Sequence, residues 1–472
     1  MRRLTQLFLF VALAALLSPA VASAAPRMYV GFHDDPNFGY EERRAEMLDQ
    51  VRGTNATIVR TLVTWANVAP KRPANAANPF DPAYHFNDLD ELVRNTQVRD
   101  MEVIITLWGT PKWANGGKTP NFLPRKLSDF TAFARAVASR YSGRYPGYPY
   151  VRFFSIWNES NLQLFLAPQF DAKGKSVGPR NYAKLAAAGY AGVKAGNAGA
   201  KVAVGSTSSA GRDKRLKGKS ETHSPGRFAQ LVAAANPRLK FDAWAQHPYP
   251  VPASQKPLQK VKWPNVTLSA FPRFEKSLDS WFKRKNVRIW ITEYGHEVKQ
   301  DGERNGISRA QQAAYAAQAL AVAKRDPRVD MFIWFVFRDH ATSQWQSGLR
   351  TRSGAAKPSL SRFTAAANSV DARNGLFTVK GGVVPTVTVP LRAYAAGTKP
   401  GEIIGLNARV FAKGKLVASA QPSAPFGRNA TARFALAGFR PVKGRTYTVE
   451  VDANVFSGGG LVLHRTLTLV AT

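Results

Sequence analysis

Cysteine is absent from all 472 residues, so the fold has no disulfides and its chemistry no thiolate. A chain of this length buries enough apolar surface to stand without covalent cross-links. Acidic residues are scarce beside basic ones, 31 against 66, for a formal net charge of +35. Three readings of that excess stay open: a nucleic-acid partner, attraction to an anionic glycan or envelope, or a general solubility bias. The basic residues run along the whole chain, and no zinc-finger, RNP or helix-turn-helix pattern gathers them, so no specific nucleic acid is expected. No His/Asp/Glu cluster shows metal-ligand spacing, so neither a metal nor another cofactor is expected. Internal repeats are missing. Beyond the N-terminus no apolar run is long enough for a membrane span.

What is present starts at that N-terminus. Arg2 and Arg3 precede an apolar run from Leu7 to Leu17, followed by the small residues Ala22-Ser23-Ala24. This three-part layout predicts a signal peptide over residues 1–24 and a secreted, extracellular protein. Residues 25–370 alternate short β-rich runs with helix-period segments. The strand candidates are Met28–His33, Thr57–Val63, Glu102–Trp108, Val151–Asn158, Lys201–Ser206, Lys240–His247, Val287–Glu293 and Val329–Phe337. Between them, Ser128–Tyr141 lines Phe130, Phe133, Val137 and Tyr141 along one helical face. Ser308 and Gln311 have capping-box spacing at the head of a helix running to Arg325. Eight strands each followed by a helix predict an α/β fold, a (β/α)8 TIM barrel. The alternative, a doubly wound sheet, lacks a glycine-rich fingerprint after the first strand.

Segments after the strands are long, such as Ser160–Arg180 and Thr207–Ser224, whereas returns such as Arg52–Ala56 are short. Chain length is thus concentrated at the C-terminal face, where such barrels build their sites. After Asp371–Gly375 helical periodicity stops, and residues 376–472 alternate in short strands, predicting an antiparallel β-sandwich accessory domain. Gly444-Arg445-Thr446-Tyr447 there has the look of a tyrosine corner. No Pro/Thr-rich tether separates the two parts, so the sandwich is expected to pack on the barrel of a monomer.

Two carboxylates mark the predicted face. The fourth strand candidate leads into Trp157-Asn158-Glu159, and the seventh ends Thr292-Glu293-Tyr294. Retaining glycoside hydrolysis needs one protonated and one ionised carboxyl across a sugar-sized gap. The pair resembles that of clan A glycoside hydrolases, where Asn-Glu at strand four gives the acid/base and Glu at strand seven the nucleophile. The resemblance implies Glu159 as acid/base and Glu293 as nucleophile, with Arg60 keeping the latter ionised. It implies Asn158 on the sugar 2-hydroxyl, His247 and Tyr249 of His247-Pro248-Tyr249 beside the nucleophile, and Trp334 as a platform under the sugar. Gly109 to Ala114, with Trp113 as a substrate contact, is similar to family 39; the His-x-Tyr element resembles family 5, whose usual strand-three histidine is missing. The resemblance covers residues 29 to about 360.

Trp65, Trp108 and Trp345 are further rings able to stack on sugars, whereas Trp157 is read as core. Asp34, Asp35 and Glu297 are read as loop charges, with Glu297 the alternative nucleophile. The expected activity is cleavage of β-glycosidic bonds in an oligo- or polysaccharide; basic loops such as Lys173 with Lys175 suit an anionic one. The competing reading is a non-catalytic glycan or envelope binder on the same barrel.

Overall fold

A computed structural model describes residues 28–472 except 40–41, 146, 300–305, 342–344, 369–375, 391–402, 426–430 and 456–460. The predicted signal peptide and the junction at Asp371–Gly375 lie outside the described residues. The eight strands are β1 (Tyr29–His33), β2 (Ile58–Thr64), β3 (Glu102–Trp108), β4 (Phe153–Ile156), β5 (Lys201–Thr207), β6 (Ala243–Gln246), β7 (Arg288–Tyr294) and β8 (Val329–Phe335). Each pairs with its sequence neighbour and β8 pairs in parallel with β1, which closes the barrel and removes the doubly wound alternative.

Side chains alternate along a strand, so one parity fills the barrel and the other meets the helices. Ile58, Ile104, Phe153, Ala203, Ala243, Ala245, Trp290, Met331 and Ile333 form the inner core. Phe153 and Trp290 meet edge to face at 5.4 Å, filling space that the alanines of β5 and β6 leave. The opposite parity, including Phe332 and Trp334 of β8, belongs to the larger core under the helices. The predicted helix at 128–141 is Leu127–Arg140. Ser308 and Gln311 form a reciprocal capping box: the serine hydroxyl accepts from Gln311 N (3.2 Å), and Ser308 N donates to the glutamine side chain (2.9 Å).

Three strands end earlier than predicted. β4 stops at Ile156, β6 at Gln246 and β8 at Phe335. At β4 the cause is plain: Trp157 (φ 71°) and Glu159 (φ 34°) lie in the left-handed region, where an extended ladder cannot continue. The long loops beyond β4 and β5 are knitted together. Leu162 bridges Thr222, and Glu221 accepts backbone hydrogen bonds from Gln169 (3.0 Å) and Phe170 (3.1 Å). His223 stacks on Phe170 at 4.4 Å; burial, then the charge of Arg227, pushes its pKa down to about 4.

The C-terminal region contains β9 (Leu376–Val379), β10 (Thr386–Pro390), β11 (Ile403–Ala412), β12 (Lys415–Ala420), β13 (Ser423–Pro425), β14 (Thr431–Ala435), β15 (Thr446–Val455) and β16 (Leu461–Ala471). β10 and β14 form one small antiparallel sheet, and the others a larger one. The departure from expectation is β9, which joins the larger sheet in parallel beside β16. The tyrosine corner is present, with Val442 N donating to the Tyr447 hydroxyl at 3.0 Å. Val98, at the end of the barrel helix Asn87–Val98, packs against this second core. Among the described residues no helix is long and apolar enough to cross a membrane.

Candidate active site

β7 delivers Glu293 to the mouth of the barrel as its penultimate residue. β4 cannot deliver Asn158 and Glu159 so simply, because consecutive residues of a regular strand point to opposite faces. The left-handed backbone at Trp157 and Glu159 breaks that alternation, and both side chains reach the group around Glu293, Asn158 through Arg60 and Glu159 through His247. A bulky residue at positive φ costs on the order of 1–3 kcal/mol and must be held by its surroundings. Trp157 is fully buried, and its indole donates to Phe165 O (2.6 Å).

The carboxylates meet. A carboxylate oxygen of Glu159, one of Glu293 and a ring nitrogen of His247 all lie within 4.8 Å of one another. His247 Nδ1 is 3.1 Å from Glu159 Oε1 and 3.5 Å from Glu293 Oε2. The Tyr249 hydroxyl donates to Glu293 Oε2 at 3.0 Å. Burial, then the charges of Glu293 and Glu159, push the tyrosine pKa well up, so it remains a donor. Three such groups are close enough to hold a small cation. They are also the groups that sugar chemistry needs free for attack and proton transfer, so we read them as a reacting set.

Arg60, wholly buried on β2, organises the surroundings of Glu293. Its Nη1 donates to Glu293 Oε1 (2.5 Å), its Nη2 to Asn158 Oδ1 (2.7 Å) and its Nε to Thr106 Oγ1 of β3 (3.0 Å). Burial works against a charge on Glu293, but the His247 and Arg60 charges hold its pKa well below the ordinary value.

Arg60, Asn158, Glu159, His247, Tyr249 and Glu293 are therefore brought together. Trp334 is not: the parity of β8 turns it outward, fully buried against Tyr294 (6.0 Å) and Phe363 (6.1 Å). This corrects its expected place under the sugar. The inward ring at that end of β8 is the partly exposed Phe335, which packs with Trp345 at 6.4 Å. Trp345 also meets Tyr249 edge to face at 5.1 Å. Trp113 stands apart as well, with its indole donating to Ala69 O (2.8 Å) and the Arg72 guanidinium 4.6 Å above its ring. Trp65 is core, stacked on Phe133.

Asp34 and Asp35 part company. Asp34 Oδ2 accepts from Phe337 N and Arg338 N, both at 3.0 Å, tying the β1 loop to the β8 loop; burial lifts its pKa to about 6. Asp35 instead meets His33, 3.0 Å from its Nε2. Glu297 lies on the loop after β7, where its carbonyl accepts from Ile307 N (2.9 Å). His33 and Phe335 were missed from the sequence, although His33 ends β1 on the face where such barrels build their sites.

Comparison with known proteins bears on the family and the fold. Residues 30–336 match the family model described as cellulase (glycosyl hydrolase family 5). No curated protein matches the sequence. Among solved structures, a family 39 glycoside hydrolase from Bacteroides cellulosilyticus WH2 is similar with TM-score 0.52 and 16% identity, over 87% of this chain and 81% of that one. GH5_18 from Streptomyces cattleya is similar with TM-score 0.54 and 16% identity, over 76% and 85%. At such identities the likeness is one of fold.

Proposed function

The chain belongs to the cellulase family, glycosyl hydrolase family 5, and from that premise we propose that it is a secreted retaining hydrolase of β-glycosidic bonds in an oligo- or polysaccharide. One observation carries the reading: carboxylate oxygens of Glu159 and Glu293 lie within 4.8 Å of each other, beside His247. Retention requires carboxyl groups about 5–5.5 Å apart, whereas inversion needs about 6.5–9.5 Å to admit a water.

Glu293, held ionised, attacks the anomeric carbon while Glu159 gives its proton to the departing oxygen, and the glycosidic bond breaks as the ester forms. Glu159 then takes a proton from water, whose oxygen attacks the same carbon and releases Glu293 as carboxylate. The amide nitrogen of Asn158, whose oxygen is committed to Arg60, is left for the sugar 2-hydroxyl. Phe335 and Trp345 take the apolar platform role first given to Trp334. An anionic glycan suits the knitted loops, where Lys173, Lys175, Lys214, Lys217 and Lys219 are exposed. The N-terminal segment supports export.

Labelling with 2-fluoro-glycosides, followed by peptide mass spectrometry, tests the reading, alongside Glu293→Gln on a panel of neutral and uronate-containing glycans. A label on Glu293 and loss of turnover are expected. Undiminished turnover by Glu293→Gln would remove it as nucleophile. Carbohydrate binding with neither label nor turnover would favour the non-catalytic alternative.

A further inference from the structure

His33 and Asp35 have no step in the reaction above, yet they are built into the surroundings of the nucleophile. His33 is level with Arg60 across β1 and β2 and with Phe335 across β1 and β8. Its ring packs on Phe335 at 5.1 Å. Its Nδ1 is 2.8 Å from Arg60 Nη1 and 3.4 Å from Glu293 Oε1. Its Nε2 is 3.0 Å from Asp35 Oδ2, which also accepts from Leu62 N of β2 at 3.0 Å.

The chemistry of these partners fixes the ring. A guanidinium only donates, so His33 Nδ1 presents its lone pair to Arg60, and the ring proton sits on Nε2, directed at the Asp35 carboxylate. The two hydrogens of Arg60 Nη1 are then divided between Glu293 and His33, with Nη2 taken by Asn158 and Nε by Thr106. Every edge of the guanidinium is engaged, and it has no second orientation of equal energy. During turnover Glu293 is neutral while it carries the sugar, and a buried cation that loses its carboxylate partner is costly. The His33–Asp35 couple keeps Arg60 paired through that interval, so Arg60 is in place when the carboxylate returns.

We propose that His33, its tautomer set by Asp35, is a positioning residue that locks Arg60 against Glu293 and thereby keeps the nucleophile ionised. The proposal rests on the reading of Glu293 as nucleophile. The groups facing Glu293 are Arg60 from β2, His33 from β1 with Asp35 behind it, His247 and Tyr249 from beyond β6, and Glu159 from beyond β4. The strand-three histidine of family 5 is missing here; β3 gives Thr106, and the imidazole that touches the arginine comes from β1.

The test is a carbon-13 NMR titration of the Glu293 carboxyl in the full chain, assigned with Glu293→Gln. It is run for wild type, His33→Phe, His33→Asn and Asp35→Asn. His33→Phe is expected to raise the midpoint by one pH unit or more. His33→Asn, whose amide oxygen can accept from Arg60, is expected to recover most of that rise, and Asp35→Asn to fall between. An unchanged midpoint in His33→Phe, or an equal rise in His33→Asn, overturns the proposal. Should His33→Phe fail to fold, Asp35→Asn decides, and an unchanged midpoint there overturns it too. The titration needs no turnover, so it succeeds or fails independently of the fluoro-sugar label. With a cleaved substrate in hand, the acid limb of kcat/KM should shift upward by the same amount.

Discussion

The tips of β7 and β4 build their carboxylates in opposite ways. Glu293 lies within a regular strand and meets Arg60, His33, His247 and Tyr249. Glu159 lies three residues beyond a strand, on left-handed backbone, and its contact in the site is His247. Several cations and donors gather around the first, whereas the second shares His247 with it. Two chemically identical side chains thereby have unequal surroundings, as the proposed division between nucleophile and acid/base requires. Position on the backbone matters as much as electrostatics. A straight β4 would have pointed Asn158 and Glu159 to opposite sides.

The difference can be broken from the acid side first. Glu159→Gln is expected to lower kcat by about 10²–10⁴ on glycosides with poor leaving groups. The loss should shrink as the leaving group becomes more acidic and needs less protonation. A loss independent of leaving-group acidity would place the proton donor elsewhere. Next in size is the kink itself. Trp157→Ala removes a fully buried indole and should cost about 3–5 kcal/mol in urea unfolding. It should also harm leaving-group protonation more than binding, because Glu159 follows the released backbone. Wild-type stability in that variant would show that Trp157 does not hold the turn.

The smallest effect sharpens the contrast at the other end of the barrel. Glu275, on the helix Phe271–Phe282, is the reverse of Glu293. Burial, then the hydrogen bond and charge of Asp326, push its pKa up to about 8, against the opposing charge of Arg328. A carboxyl that holds its proton more tightly folded than unfolded stabilises the native state fully below the unfolded value. That contribution is lost as pH rises through the folded one. Stability should therefore fall between about pH 4.5 and 8. Glu275→Gln should flatten that slope, read from urea midpoints at pH 5 and pH 8. An unchanged slope would mean that Glu275 titrates normally.

Much of this architecture was legible because the signals are local. The strand and helix periods, the capping box at Ser308 and the tyrosine corner at Tyr447 each depend on residues near one another in sequence. The meeting of Glu159 with Glu293 was also foreseen, because strand tips in a closed barrel converge on one mouth. Trp334 was misplaced because its parity depends on where β8 starts facing inward, and sequence alone does not mark that register. His33 and Asp35 passed as a strand end and a loop charge. Their meaning lies in a guanidinium 27 positions from His33.

The sequence by itself determined a strand-helix alternation, a cysteine-free basic chain and two glutamates at strand tips, since these are properties of composition and short-range spacing. Only the tertiary structure decided which side chains surround each glutamate, because those neighbours arrive on or just beyond five separate strands and meet only when the barrel closes. The unequal charge environments of two like residues follow from that closure.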